Sequence, residues 1–113
     1  MIYIPREKLT IIELVEDREN VTFEEIERTL WDRPSNMIYV ETAGELSGII
    51  SMGDIERAVM DGKVSVGINA DFTSVLPSEY MRAKDIFINY PSINALPVKF
   101  RGGGVVRCIF QMG

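Results

Sequence analysis

The chain has 113 residues, 17 acidic against 12 basic side chains and a formal net charge of −5. That length suits one domain or two half-sized repeats, and the acidic balance argues against nucleic acid and anionic membranes, which attract clustered Lys and Arg. With no histidine and one cysteine, a Ser-His-Asp or Cys-His catalytic set and a zinc site of ordinary composition are excluded within the chain, and no enzymatic activity is expected.

The opening, MIYIPREKLT, has no basic region followed by a long apolar one, so no leader is expected. No apolar run approaches bilayer length, and a cytoplasmic location is expected. MIYIP reads as a short strand. LTIIELVED (9–17) reads as a helix capped by Thr10 with Glu13, in preference to a strand. EDRE (16–19) reads as a solvated charge run. Thr22 and Glu25 form a capping-box pattern, followed by Phe23, Ile26 and Leu30 at helical spacing. Pro34 stops that helix near Asp32 or Arg33. NMIYVE (36–41) reads as a strand, TAGE (42–45) as a turn and LSGIIS (46–51) as a second strand. GDIERAVMDG (53–62) is predicted to be a short helix, with Ile55, Ala58 and Val59 on one face and Gly62 at its C-terminal end.

VSVGINADFTSVL (64–76) reads as a linker leading into an extended segment around residues 71–75. The plan then repeats. SEYMRAKDIFINYP (78–91) places Tyr80, Ala83, Phe87 and Tyr90 on one helical face, with Pro91 as the stop. INALPVKF (93–100) and VVRCIFQM (105–112) read as strands joined by an RGGG turn. Pro97 places its strand at an edge, or turns its missing N–H outward. Helix, strand, hairpin and strand thus occur twice, offset by roughly 57 to 60 residues. Cys108 lies in an apolar run and reads as a buried, inert thiol. Trp31 and Tyr39 read as core side chains rather than stacking platforms for a base.

The chemistry-bearing stretch is GIISMGDI, residues 48–55. Ser51-x-x-Asp54 is a variant capping box, worth roughly 1 kcal/mol to the helix with no ligand. The same carboxylate can accept the hydroxyl hydrogens of a ribose diol. A bare phosphate would be repelled by Asp54 unless offset, and Arg57, one turn on, is the nearest cation that could do so. Arg57 can equally pair with Asp54 across i, i+3.

Gly48, Ile49, Ile50, Ser51, Met52, Gly53 and Asp54 resemble, without gaps, the signature of the cystathionine-β-synthase (CBS) domain: Gly, two apolar residues, Ser or Thr, two variable residues, Asp. LPV (96–98) is similar to that family's Pro-Val strand. The resemblance covers about residues 20 to 113. It implies an α+β fold of tandem β-α-β-β-α repeats, residues 1–62 and 63–113, the second lacking its last helix. It implies a regulatory module that senses an adenosyl ligand (AMP, ADP, ATP or S-adenosylmethionine) and forms a homodimer. The module would serve a larger enzyme, such as a sugar-nucleotide transferase. The resemblance implies Ser51 and Asp54 as contacts to phosphate or ribose; with Gly48 of the signature and Arg57 as the nearest cation, the candidate nucleotide-binding residues are Gly48, Ser51, Asp54 and Arg57, and the linker between Lys63 and Phe72 is expected to contribute. In the second copy Gly48 is matched by Arg107 or Cys108, Ser51 by Phe110 or Gln111, and Asp54 by Gly113 or nothing, so at most one typical site is expected. The alternative is an interaction module that kept the fold and lost the ligand.

Overall fold

The computed structural model describes residues 1–32 and 36–111, apart from the side chains of 30–32. The expectations resting on Leu30, Trp31, Pro34 and Gly113 lie outside these residues. In chain order the elements are β1 (Ile2–Pro5), β2 (Thr10–Leu14), β3 (Asn20–Thr22), α1 (Phe23–Asp32), β4 (Met37–Thr42), β5 (Glu45–Ser51), α2 (Met52–Met60), β6 (Ser65–Gly67), α3 (Arg82–Asn89), β7 (Ala95–Lys99) and β8 (Val105–Phe110). Single 3-10 turns occupy Arg6–Lys8 and Pro77–Glu79. No described helix is long and apolar enough to cross a membrane.

Thr10–Phe72 forms one compact unit. Its main sheet has the order β2-β4-β5, with β2 parallel to β4 and β4 antiparallel to β5. A separate two-stranded ribbon pairs β3 with β6. The core joins Ile12, Ile38, Val40 and Ile50 from the sheet, Val21 and Val66 from the ribbon, Ile26 from α1 and Ala58 from α2. Burying such side chains contributes roughly 1.5–3 kcal/mol each relative to exposure.

The start of α1 carries the capping box that the sequence implies. The Thr22 and Glu25 amides each donate to the other residue's side chain, at 3.0 and 3.2 Å. The Arg18 guanidinium also donates to Glu25, at 2.6 Å. Arg18 first, then the Thr22 amide, holds the Glu25 carboxyl down at about 2 from an ordinary 4.5, against a smaller upward push from burial. A depressed carboxylate stabilises the fold above its unfolded pKa, and that contribution disappears as pH falls through the folded value. Glu25→Gln should therefore cost about 1 kcal/mol at neutral pH, discounted for solvent screening. The gap between the two proteins in urea titrations should close between pH 4.5 and pH 2. A gap that widens on acidification would contradict this origin.

The second compact unit combines Met1–Leu9 with Thr73–Gly113. Its sheet has the order β1-β8-β7, antiparallel throughout. Ala83 and Phe87 of α3 pack with Leu96, Val98, Ile109 and Val75. The compact units are thus a different partition from the sequence repeats 1–62 and 63–113, because the N-terminal strand finds its hydrogen-bond partners along β8. Pro97 lies on β7, an edge strand of that sheet. Val75 donates to the Pro97 carbonyl and Lys99 donates back to Val75. Position 97 therefore turns its missing N–H away from β8. Cys108 is buried.

The hairpins repeat in detail. In β4–β5, Val40 opposes Gly48 and the register shifts after Val40; in β7–β8, Val98 opposes Arg107 and the register shifts after Val98. The Asn36 carbonyl accepts from the Met52 amide, and the Asn94 carbonyl accepts from Gln111. Ile49 bridges Asn69 as Cys108 bridges Ile4. These correspondences match Gly48 to Arg107 and Ser51 to Phe110.

Four local expectations are corrected. Residues 10–14 are a strand, not a Thr10-capped helix: β-branched Thr10, Ile11 and Ile12 suit a pleated ladder, and β4 supplies the parallel partner. The start of the linker is strand β6, because β3 is available to pair with it. Val59 is 60% exposed, since α2 turns Ala58 inward and its apolar stripe is narrower than the sequence spacing suggests. Tyr80 and Tyr90 are 50% and 59% exposed; α3 spans only Arg82–Asn89, so helical periodicity does not reach them.

Candidate functional site

The site grows from the end of β5. Tyr39, Val40 and Glu41 beside it are buried, and Ile50 is fully so. An apolar strand between buried neighbours fixes the direction in which the chain leaves the sheet. Ser51, in extended conformation, is the N-cap of α2. Its hydroxyl accepts from the Asp54 amide at 3.1 Å, and its own amide donates to Asp54 Oδ2 at 3.0 Å. Asp54 Oδ1 accepts from Arg57 Nη2. Partial burial pushes the Asp54 carboxyl up, but the Ser51 bonds and the Arg57 charge outweigh it and carry its pKa below the ordinary value. Asp54 is thus held as an anion. At the other end of α2, Gly62 has φ +70°, the left-handed conformation that ends helices.

Opposite α2 stands the linker. Ile49 and Asn69 exchange backbone hydrogen bonds at 3.0 and 2.9 Å, and the Ile68 amide donates to Glu19 at 2.8 Å. The Asn69 side chain accepts from the Asp71 amide, closing a local turn. Gly48 lies beneath this crossing. A Cβ on it would stand 2.2 Å from Ile68 Cγ2 and 3.0 Å from the Asn69 carbonyl oxygen. Glycine is required there for close approach of the linker.

An open cleft of about 510 Å³ lies within this unit, between α2 and the ribbon. Asp54, Arg57, Ala58 and Asp61 line one wall, and Asn20, Lys63 and residues 65–69 line the rest. Positions 54, 57, 58 and 61 follow helical spacing, so one face of α2 carries both the charges and the Ala58 contact to the core. Of the four residues singled out from sequence, Asp54 and Arg57 line the cleft. Ser51 stands behind Asp54 as its cap, and Gly48 supports the crossing. Tyr39 is a buried core residue. Of the linker, expected to contribute with no residue assigned, Lys63 and residues 65–69 line the cleft. Asn20 was missed, although the alternation in NVT and SVG that pairs β3 with β6 was the available signal. The cleft can present a charged carboxylate to hydroxyl donors, two cations to an anion, and the partly buried Ile68 to an apolar group. The described residues hold no cluster of acidic or cysteine side chains suited to a metal.

No family model matches the sequence, and no curated protein matches it. Solved structures do. The CBS domain pair of protein MJ0100, in complex with 5′-methylthioadenosine and S-adenosyl-L-methionine, matches at a TM-score of 0.67 and 19% identity, over 95% of this chain and 92% of that one. CBSX2 in complex with AMP matches at 0.68 and 14%, over 96% and 85%. The cytosolic domain of the Mg2+ channel MgtE in complex with ATP matches at 0.70 and 22%, over 95% of this chain but only 44% of that one.

Proposed function

The fold is that of a CBS domain pair, and we propose that this chain is a regulatory ligand-binding module for an adenine nucleotide or related adenosyl ligand. The ligand would lie in the cleft between α2 and the β3–β6 ribbon. Asp54 would receive the ribose hydroxyls, Arg57 a phosphate or other anionic tail, and Ser51 and Gly48 would hold α2 and the linker in place. The observation that carries this reading is the charged Asp54 carboxylate at the wall of the cleft, in a fold whose solved examples include complexes with AMP, ATP and S-adenosyl-L-methionine. In this reading the module works in the cytoplasm, forms a homodimer and serves a larger enzyme, a sugar-nucleotide transferase being the type suggested by the GDIERAVMDG stretch.

A second reading is a ligand-free interaction module. It is favoured by the complete capping box, which satisfies Ser51 and Asp54 without any ligand, and by Phe110 standing where the second repeat would need a serine.

Thermal unfolding with AMP, ADP, ATP and S-adenosylmethionine separates the two. A specific ligand at about 100 times its Kd stabilises by roughly 2.7 kcal/mol, several degrees for a chain of this size. The expected result is such a shift with at least one ligand. An unmoved transition at millimolar concentrations of all four would leave the second reading.

A further inference from the structure

Resting on the proposed nucleotide site, we infer that Arg57 acts as a latch on Asp54 and that the cleft selects a nucleoside 5′-monophosphate over both the free nucleoside and the triphosphate. Oδ2 of Asp54 is engaged by the Ser51 amide and Oδ1 by the Arg57 guanidinium. A ribose diol that takes both oxygens must displace Arg57 or share with it. The Arg57 side chain is 70% exposed, and exposed pairs of this kind are weak, so displacement costs little. The freed guanidinium remains in the cleft wall, one turn from Asp54 and one from Asp61, and a single phosphate on the same ligand restores a direct pairing. A free nucleoside breaks the latch and returns nothing.

The far end of the cleft sets the upper limit. Asp54 and Asp61 stand against Arg57 and Lys63 along its walls, so the cleft is formally neutral. Asp61 lies two turns beyond Asp54, about 10 Å along the helix axis. It is the C-cap of α2, where the helix carbonyls add negative potential. A second and third phosphate would extend along a wall that repels them, and Lys63 alone cannot offset both. The sequence places an acidic residue and a basic one at each end of this wall, which suits a small ligand charge rather than a large one.

The test is calorimetric titration of the wild-type protein, Arg57→Ala and Asp61→Asn with adenosine, AMP and ATP in magnesium-free buffer. Wild type is expected to bind AMP about tenfold more tightly than either adenosine or ATP, the scale set by one or two charge contacts at the protein surface. Arg57→Ala should weaken AMP by about tenfold while tightening adenosine about two- to threefold, because the competitor for Asp54 is gone. Asp61→Asn should narrow the gap between AMP and ATP. Thermal unfolding without ligand verifies that both variants are folded. ATP binding as tightly as AMP, or Arg57→Ala weakening AMP and adenosine in equal ratio, would overturn the inference and leave the nucleotide site standing. Absence of binding by all three would overturn the site itself.

Discussion

Gly48→Ala is expected to destabilise the protein by about 1–3 kcal/mol, a drop of roughly 5–15 °C in unfolding temperature. The new methyl has nowhere to go. It would stand 2.2 Å from Ile68 Cγ2 and 3.0 Å from the Asn69 carbonyl oxygen. The first is a methyl on a β-branched side chain that packs against the core cluster, and such a side chain has few rotamers to retreat into. The second belongs to backbone pinned by two hydrogen bonds to Ile49. The penalty should therefore be relieved by trimming the neighbour. Ile68→Ala alone loses packing, but in the Gly48→Ala background it should cost less than it does in wild type, by about 1 kcal/mol in a double-mutant cycle. Additive costs in urea midpoints would show that the glycine serves something other than close approach. The result matters for function because the glycine of the signature is here a packing requirement that sets where the linker wall of the cleft stands.

The second large effect concerns Asp54, whose two roles can be separated. Removing either half of the capping box should cost about 1 kcal/mol, so Ser51→Ala and Asp54→Ala should fall to similar stabilities, and the double variant should lose less than the sum. Their ligand responses should differ. Ser51 does not line the cleft, so Ser51→Ala should keep a stabilising shift with the binding ligand. Asp54→Ala should lose that shift entirely, about 2.7 kcal/mol at a hundredfold excess over Kd. Retention of the full shift by Asp54→Ala would remove the carboxylate from the site. The pH dependence has a fixed sign as well. The Asp54 pKa is depressed, so the stability it contributes is present above the ordinary carboxylate range and is lost on acidification through its folded value.

Much of this architecture is local information. The Thr22–Glu25 and Ser51–Asp54 boxes form from residues three apart, the β4–β5 hairpin from adjacent strands, and the edge position of Pro97 from its lack of a donor. Each depends on groups close in the chain, so each was legible. The repeat is legible too, although the sequence allows either Arg107 or Cys108 to match Gly48. Strand register resolves it, because a bulge at the same place in both hairpins sets Gly48 against Arg107.

Other features depended on partners far along the chain. Residues 10–14 carry a pattern compatible with helix or strand, and the parallel neighbour β4, more than twenty residues on, makes them a strand. Tyr80 and Tyr90 share a helical phase with Ala83 and Phe87, but the helix stops short of both. The cleft is the clearest case. Asp54 could be named from a seven-residue signature and Arg57 from its place one turn beyond it, yet Asn20, Lys63 and residues 65–69 join them only because β3 pairs with β6 and Asn69 pairs with Ile49. Caps, hairpins and the acidic residue at the head of α2 follow from groups near one another in the chain, and the duplicated plan from the recurrence of those local patterns. Which face of α2 meets the ribbon, and which charges share one cleft, depend on pairing across the fold. Backbone hydrogen bonds between distant strands bring those residues together, and no spacing in the sequence encodes that distance.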